Sequence, residues 1–357
     1  MSKRGGRELS EEELEYYSRH MVLTEIGVAG QQKLKSSRVC VMGLGGLGSP
    51  LSMQLASMGV GHLRLVDRDV VETSNLQRQY LYSVDVVGYP KVEAAASRLR
   101  RLNPYIDIEP LPLSVNANNV ERVLHGVDVV VDGLDRMAPR YAVNRACFKL
   151  GIPYVFGAVI TQIGNVSTII PGETACLECF QGNVDDASLP TCAVVGVNPS
   201  IIGIVASIQV SEAVRIMTGR RPKLANALLF CDLDSLTFER IELAKAETCP
   251  ICGRTPRAEP APIKYEQVEE ICGREGRRVF VITPDDELEL DLGALNCQLV
   301  ELGYDLDVQA SLGTSFSNES GVKGSVLNSG VTILEGVEDK GEAERFYHQL
   351  VHPRSKF

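Results

Sequence analysis

The apolar residues of the chain follow two periods that alternate between residues 39 and 158. Short continuous apolar runs, such as Val39–Met42, predict buried strands, whereas the stretches between them repeat apolar residues at helical spacing. A first helix is predicted over residues 9–35, with Ser10 as its cap. Further strands are predicted at 62–67, 107–112, 127–132 and 153–158, and helices at 50–58, 91–102, 118–124 and 139–150. Apolar strands that alternate with helices predict a parallel, doubly wound, Rossmann-like α/β sheet.

After residue 158 the pattern changes. Residues 161–170 alternate like an antiparallel strand, 201–218 predict a long apolar helix, and 227–232 with 236–243 predict a closing hairpin. The Pro- and Ala-containing stretch 257–262 predicts a linker, so we expect one domain over 1–256 and a small α+β module over 263–357. In this module we expect a helix, a pair of strands, a helix at 292–302, strands around 306–312 and 322–334, and a helix at 340–351.

A glycine-rich turn joins the first predicted strand to the next helix. Gly43, Gly45 and Gly48 fit the pattern G-x-G-x-x-G, with Gly46 between them, and such glycines let phosphate oxygens approach a helix N-terminus. Asp67 ends the next strand, where a carboxylate can bind a ribose. These residues alone are typical of an NAD-dependent oxidoreductase, which therefore stays open as one hypothesis.

The next stretch of sequence changes that balance. Asn75, Arg78, Gln79 and Lys91 bring two amides, a guanidinium and an ammonium group to the same crevice. Each cation alone would be interpreted as a solvated surface charge, but the set suits a triphosphate, on which charge develops during phosphoryl chemistry. Asp135 follows the strand that ends at residue 132 and can hold Mg²⁺ at the carboxyl edge of the sheet. The sequence therefore predicts a site for ATP and Mg²⁺.

Six cysteines lie between residues 176 and 252, and five of them are candidates for a metal site or a nucleophile. Two Cys-x-x-Cys pairs, Cys176/Cys179 and Cys249/Cys252, predict a four-thiolate zinc site that is structural because it has no open position. Two redox dithiols are the less favoured alternative. Cys192 lies between the pairs in a predicted loop, ahead of the long helix, and is either a nucleophile or an ordinary small loop residue.

Composition narrows the partners and the compartment. The net charge of −10 argues against nucleic acid, and no stretch is predicted to span a membrane. The ten cysteines and the absence of an apolar leader in the sequence given predict a reducing, cytoplasmic location.

Residues 10–255 resemble the ThiF/MoeB-type activating-enzyme family, which includes the adenylation domains of ubiquitin-activating enzymes. The matching segments are Arg38–Pro50 (RVCVMGLGGLGSP), Asp67–Asp69, Ser74–Gln79 (SNLQRQ), Gly88–Lys91, Arg101–Pro104, both cysteine pairs and Thr191–Gly203. The family adenylates the C-terminal glycine carboxylate of a ubiquitin-like protein with ATP and Mg²⁺. The resemblance therefore implies that residues 1–256 form an ATP-binding adenylation domain with a zinc site.

The resemblance also implies roles for single residues. Asp135 would organise the metal and the reacting carboxylate, Arg19 would act in trans across a homodimer, and Cys192 would attack the acyl-adenylate. Arg136 departs from the family, which often has asparagine at this position. Nucleotide contacts are implied for Gly43, Gly45, Gly46, Gly48, Asp67, Asp69, Asn75, Arg78, Gln79 and Lys91.

The main hypothesis is ATP-dependent activation of a ubiquitin-like protein, followed by formation of a thioester on Cys192 and transfer of the activated protein to a conjugating enzyme. The placement and size of the module over 263–357 resemble a ubiquitin-fold domain that recruits such enzymes, whereas its Cys272–Arg277 stretch resembles a rhodanese loop only superficially. The alternative is adenylation of a sulfur-carrier protein for molybdopterin, thiamine or tRNA thiolation. A non-enzymatic scaffold is a further alternative.

Overall fold

A computed structural model describes residues 8–182, 184–186, 195–272 and 278–351. The chain begins with three short helices, α1 (Glu11–Tyr16), α2 (Ser18–Met21) and α3 (Gly27–Ser36). Ser10 caps α1 as predicted, in a reciprocal pair of hydrogen bonds with Glu13. The single helix predicted over 9–35 is wrong, because the backbone leaves the helical conformation at Tyr17 and Gly27 has a φ of +59°.

The first sheet has eight strands in the order β3-β2-β1-β4-β5-β6-β7-β8. Neighbours from β3 to β5 are parallel, and those from β5 to β8 are antiparallel. This arrangement confirms the predicted doubly wound sheet with an antiparallel extension. In chain order the strands are β1 (Arg38–Met42), β2 (His62–Val66), β3 (Asp107–Leu111), β4 (Val129–Asp132), β5 (Tyr154–Ile160), β6 (Ile163–Ile169), β7 (Ala227–Asp232) and β8 (Thr237–Glu242).

Helices cover both faces of this sheet, because successive residues of a buried strand point to opposite sides. On β1, Val39 and Val41 belong to the core on one face, and Cys40 and Met42 to the core on the other. The first face is covered by α4 (Gly48–Ser57), α5 (Lys91–Leu102) and α9 (Pro199–Met217), and the second by α6 (Val120–Leu124), α7 (Met137–Leu150) and α8 (Leu177–Phe180).

Helix α9 corrects the expectation that no stretch is long enough to cross a membrane. Its 19 residues pass that test by length and composition, but 61% of its apolar window is buried inside the protein. The helix lies against α4 and against β5 and β6. Its apolar composition therefore reflects a position in the core.

The second sheet has six antiparallel strands in the order β11-β12-β13-β14-β10-β9. Its strands are β9 (Val268–Cys272), β10 (Arg278–Ile282), β11 (Asp305–Gln309), β12 (Gly313–Ser317), β13 (Lys323–Leu327) and β14 (Thr332–Glu335), and its helices are α10 (Leu292–Glu301) and α11 (Lys340–Val351). The helix expected at the start of this module is wrong, since residues 263–267 are irregular and β9 follows them directly. The stretches expected as strands around 306–312 and 322–334 each contain a turn that separates two strands.

The second sheet packs against the parallel end of the first. The Glu93 carboxylate on α5 accepts hydrogen bonds from the backbone N–H groups of Ser311 and Leu312, at 3.0 and 2.8 Å. The Ser315 hydroxyl donates to the carbonyl of Gly88 at 2.6 Å. These contacts bring the C-terminal module next to the carboxyl ends of the parallel strands, where the nucleotide site was predicted.

Candidate functional site

Two of the four turn glycines are needed for close backbone packing. Gly43 has a φ of +86°, and a Cβ atom there would lie 2.6 Å from the carbonyl oxygen of Gly133. A Cβ atom at Gly48 would lie 1.8 Å from the carbonyl oxygen of Gly43. The turn after β1, the start of α4 and the residue after β4 therefore meet with no room for a side chain. Gly133 was not predicted, although its place just after β4 puts it at the same edge of the sheet.

The other two turn glycines border more open space. A Cβ atom at Gly45 would have a single close neighbour, the Nε2 atom of Gln79, at 3.9 Å. A Cβ atom at Gly46 would meet the Cδ1 atom of Ile202 at 3.0 Å and the Cδ atom of Arg78 at 3.9 Å. The open part of the turn thus lies at Gly45, beside the N-terminus of α4, with the predicted side chains of Arg78 and Gln79 next to it.

Asp67 joins the end of β2 to the glycine-rich turn. Its carboxylate accepts hydrogen bonds from the backbone N–H groups of Leu44 at 2.6 Å and Asp69 at 2.7 Å. Burial raises the pKa of Asp67 to about 6, with a further contribution from the Asp69 carboxylate, while Lys91 opposes the rise. The carboxyl group is therefore held in place beside the turn, and its predicted contact with a ribose stays a prediction.

Asp69 and Lys91 form an ion pair in the same region. The Nζ atom of Lys91 lies 2.8 Å from a carboxylate oxygen of Asp69, and the lysine side chain is 6% exposed. Burial alone would lower the pKa of Lys91, but the Asp69 and Asp67 carboxylates raise it above its usual range. Lys91 is therefore a buried, charged ammonium group whose remaining N–H donors are available for a ligand.

The segment between residues 73 and 82 packs on the turn. The Arg78 guanidinium donates to the Ser74 carbonyl at 2.9 Å, and the Tyr82 hydroxyl donates to the Leu44 carbonyl at 3.0 Å. Gln79 is buried, and its Oε1 atom has no hydrogen-bond partner within the described residues. An unpaired buried amide oxygen is costly.

Asn75 is the other amide predicted in this segment. It is buried, and its Oδ1 atom accepts from the Glu72 backbone N–H at 3.3 Å while its Nδ2 atom donates to the Ser74 hydroxyl at 3.1 Å. The side chain thus lies in the same short helical turn, which runs from Thr73 to Asn75. The two predicted amides therefore differ, since that of Asn75 is already engaged locally.

Two aspartates after β4 have different surroundings. Asp132 is fully buried, and it accepts hydrogen bonds from the Arg140 Nε atom at 3.0 Å and the Tyr154 hydroxyl at 2.6 Å. Burial raises its pKa. Asp135 is exposed, and its carboxylate makes no hydrogen bond within the described part of the chain. Asp132 therefore stabilises the sheet edge, while Asp135 is accessible to a ligand, and its predicted role in holding Mg²⁺ stays a prediction.

A carboxylate from the second sheet also reaches this edge. Glu269 on β9 accepts from the Arg68 Nη2 atom at 2.8 Å and pairs with the Arg136 guanidinium as well. Arg68 follows Asp67 directly, and Arg136 follows Asp135 directly. This contact could not be predicted from the sequence, because Glu269 lies in a distant strand of another sheet.

The four cysteines of the two Cys-x-x-Cys pairs lie close together. Their Sγ atoms all lie within 4.8 Å of one another, with 3.6 Å between Cys176 and Cys249 and 3.3 Å between Cys179 and Cys252. Zinc–sulfur bonds of about 2.3 Å in a tetrahedron separate neighbouring sulfurs by about 3.8 Å. The cluster therefore fits a Zn²⁺ ion, and it joins α8 to the turn before the predicted linker. Cys40, Cys147 and Cys231 are buried in the core, as expected.

A family model described as the ThiF family matches residues 17–251. This chain belongs to the ThiF family. It is 43% identical over 242 residues to the SAMP-activating enzyme E1 of Haloferax volcanii, a match that covers 68% of this chain and 89% of that one. It is 33% identical over 344 residues to the sulfur carrier protein ThiS adenylyltransferase of Bacillus subtilis, covering 94% and 98%. Among solved structures, E. coli MccB with ATP is similar, with a TM-score of 0.59 and 26% identity over 67% of this chain and 73% of that one.

Of the predicted residues of this ThiF-family protein, Arg19 lies apart from the turn in the same chain and Cys192 is not among the described residues. Arg19 is exposed on α2, near the exposed side chains of Tyr16, Val22 and Leu23, and no described contact joins it to the turn in the same chain. Cys192 falls outside the described residues, so its predicted role stays a prediction. The described segment just before it is anchored, because the Asp186 carboxylate accepts from the Met137 backbone N–H, at the start of α7, at 2.6 Å.

Proposed function

We propose that this protein is an ATP-dependent adenylyltransferase that activates the C-terminal carboxylate of a sulfur-carrier protein. The observation that carries this proposal is the relative aligned along nearly the whole chain, second sheet included, whose name gives a sulfur carrier as its substrate. The order of the two hypotheses from the sequence is thereby reversed, since activation for conjugation becomes the second candidate. The most identical of the relatives named above is called an E1 enzyme, and it is the observation that keeps this second candidate.

The proposed nucleotide position follows from the open side of the turn. The phosphates would lie over Gly45 and Gly46 at the N-terminus of α4, where backbone N–H groups favour anions. The Nε2 atom of Gln79 borders the space over Gly45 and can donate to a phosphate oxygen, and Arg78 lies beside Gly46. Asp67 would accept from the ribose hydroxyls. The Lys91 ammonium would add positive charge close to the phosphates, a density of cations that a nicotinamide cofactor does not need.

The proposed reaction is nucleophilic substitution at the α-phosphate of ATP. An oxygen of the carrier's C-terminal carboxylate forms a bond to the α-phosphorus, the bond to the oxygen that bridges to the β-phosphate breaks, and pyrophosphate leaves. Arg78 and Lys91 would stabilise the charge that develops on the phosphates. Asp135 has the accessible carboxylate that would hold Mg²⁺, which supplies charge neutralisation when bound.

A homodimer is part of the proposal. Arg19 is charged and exposed beside apolar side chains that are themselves exposed, namely Val22 at 73% and Leu23 at 48%. A second copy that covered these side chains would bury apolar surface and carry Arg19 toward the phosphates of its neighbour. The zinc proposed for the cysteine cluster would be structural, since four thiolates leave no open position.

One experiment tests both the adenylation and the two fates of the acyl group. The full chain is mixed with ATP, Mg²⁺ and a sulfur carrier ending in Gly-Gly, and exchange of labelled pyrophosphate into ATP is measured. We expect exchange that requires the carrier, whereas no exchange with any carrier would refute the proposal. Nicotinamide cofactors should cause no fluorescence change.

The same mixture on a non-reducing gel tests the second candidate. A thiol-sensitive adduct that disappears in Cys192→Ala, with exchange retained, would show the thioester. Carrier-dependent exchange without such an adduct would support adenylation and contradict the hypothesis of activation for conjugation.

A further inference from the structure

The side chain of Glu269 links the C-terminal module to the predicted nucleotide site. It is 15% exposed, and its carboxylate binds the guanidinium groups of both Arg68 and Arg136. Each arginine directly follows an aspartate of the site, Asp67 or Asp135. A single acidic group from the second sheet therefore holds two cations at the edge where ATP and Mg²⁺ are proposed to bind.

Arg68 also interacts electrostatically with acidic groups other than Glu269. Burial opposes the charge of Arg68, yet its pKa lies above the usual range because Glu269 raises it most, followed by Asp69 and Asp135. Arg68 also donates to the Ser114 hydroxyl at 3.2 Å, but that partner is neutral. Without Glu269 the acidic groups left to balance the buried guanidinium would be Asp69, which Lys91 already pairs, and Asp135. An arginine on Asp135 would neutralise the carboxylate that is proposed to hold Mg²⁺.

Glu269 is fixed by regular structure. It lies in β9 opposite Val281 of β10, and the sheet that holds both is docked on α5 through the Glu93 contacts with Ser311 and Leu312. A carboxylate on a paired strand of a docked sheet is held more rigidly than one on a loop. The second sheet thus sets the position of this acid relative to the carboxyl ends of β2 and β4.

We propose that Glu269 is a positioning residue for adenylation, which keeps Arg68 away from Asp135 so that this carboxylate remains available to MgATP. This inference rests on the proposed function. It assigns to the C-terminal module a part in the nucleotide site, which differs from the expectation that the module recruits a conjugating enzyme.

The competing explanation is that Glu269 only joins the two sheets. Glu93→Gln is a matched control, because Glu93 also bridges the sheets, and among the residues that the structure describes its carboxylate accepts from backbone N–H groups and pairs with no arginine. Both substitutions replace a carboxylate by an isosteric amide at the same interface. An effect through docking alone would therefore be shared by Glu269→Gln and Glu93→Gln.

The test measures ATP binding to the full chain by titration calorimetry across a series of Mg²⁺ concentrations, with thermal unfolding as a check of folding. We expect Glu269→Gln to raise the Mg²⁺ concentration needed for tight ATP binding by about tenfold, as for the loss of one charged hydrogen bond, with little change in Glu93→Gln. Equal effects of the two variants, or no effect of Glu269→Gln, would overturn the proposal.

A double variant keeps the test decisive if Glu269→Gln folds poorly. Arg68→Gln with Glu269→Gln leaves no buried unpaired guanidinium, and it should bind ATP with nearly the Mg²⁺ dependence of the natural protein. A double variant as weak as Glu269→Gln would contradict the proposed competition for Asp135. Because binding needs no carrier, a protein that binds MgATP normally but shows no exchange would refute the proposed function without touching this inference.

Discussion

The contrast between Gly48 and Gly45 gives the sharpest prediction. In Gly48→Ala the new Cβ atom would lie 1.8 Å from the carbonyl oxygen of Gly43 and 2.7 Å from its carbonyl carbon. Normal contacts between carbon atoms are about 3.5–4.0 Å, and both partners here are backbone, so the turn itself must move. Overpacking usually costs about 1–3 kcal/mol, and we expect at least the upper end of that range.

Gly45→Ala is the matched substitution in the same turn. Its Cβ atom would have a nearest neighbour at 3.9 Å, which is an ordinary contact, and the φ of Gly45 lies outside the left-handed region. Replacing glycine by alanine at such a position stabilises a protein by about 0.4–1 kcal/mol, through the unfolded chain. The methyl group would nevertheless occupy space proposed for phosphate, so ATP should bind at least about tenfold more weakly, a loss of about 1.4 kcal/mol.

Thermal unfolding without nucleotide and calorimetric titration with MgATP measure the two effects separately. At about 2–4 °C per kcal/mol, Gly48→Ala should unfold roughly 6–12 °C below the natural protein, whereas Gly45→Ala should unfold near it. In the presence of ATP, Gly45→Ala should lose most of the ligand-induced stabilisation. Natural ATP affinity in Gly45→Ala would refute the proposed phosphate position, and a natural melting temperature in Gly48→Ala would refute the steric reasoning.

Two further predictions concern Asp67 and the cysteine cluster. The folded-state pKa of Asp67, about 6, exceeds that of an unfolded aspartate, so its contribution to the free energy of unfolding is complete below about pH 4 and is lost as the pH rises through 6. Asp67→Asn should remove this part of the pH dependence, at most about 3 kcal/mol, when the free energy of unfolding is measured by denaturant titration at pH 4.5 and 7. An unchanged pH dependence would contradict the raised pKa. Cys252→Ser should lose bound zinc in a metal assay and should melt at a lower temperature. Cys297→Ser, which changes an exposed cysteine outside the cluster, should keep both the zinc and the melting temperature. A natural protein that contains no zinc would contradict the metal assignment.

The sequence predicted the parallel part of the fold well, because β1 and β4 are continuous apolar runs and the glycine-rich turn marks the connection from β1 to α4. It predicted the cysteine cluster for a related reason, since residue type and spacing alone define a tetrahedral site. It failed at Tyr17 and Gly27, where the apolar period continues although the backbone turns. Local patterns do not record a break that tertiary packing of a buried tyrosine imposes.

The candidate site was predicted where chemistry and strand ends coincide, as at Asp67 and Asp135. The different roles of the glycines could not be predicted, because the close contact of Gly43 is with Gly133, far along the chain, and the space beside Gly45 is bordered by Gln79. The pairing of Lys91 with Asp69 and the contact of Glu269 with Arg68 likewise depend on how distant segments fold together. Sequence alone shows which charges exist and leaves open which of them are already paired.

The acidic contact between the two sheets restricts how this architecture can be shortened or recombined. A cut at residues 257–262 would remove the hydrogen-bond donors of the Glu93 carboxylate on α5 and leave Arg68 without its principal counter-charge. A different C-terminal module could replace the natural one only if it placed a carboxylate at the position of Glu269 beside β2. We therefore expect the C-terminal module and the nucleotide domain to be inherited as a unit. Relatives that carry a different C-terminal module should also differ at positions 68 and 136.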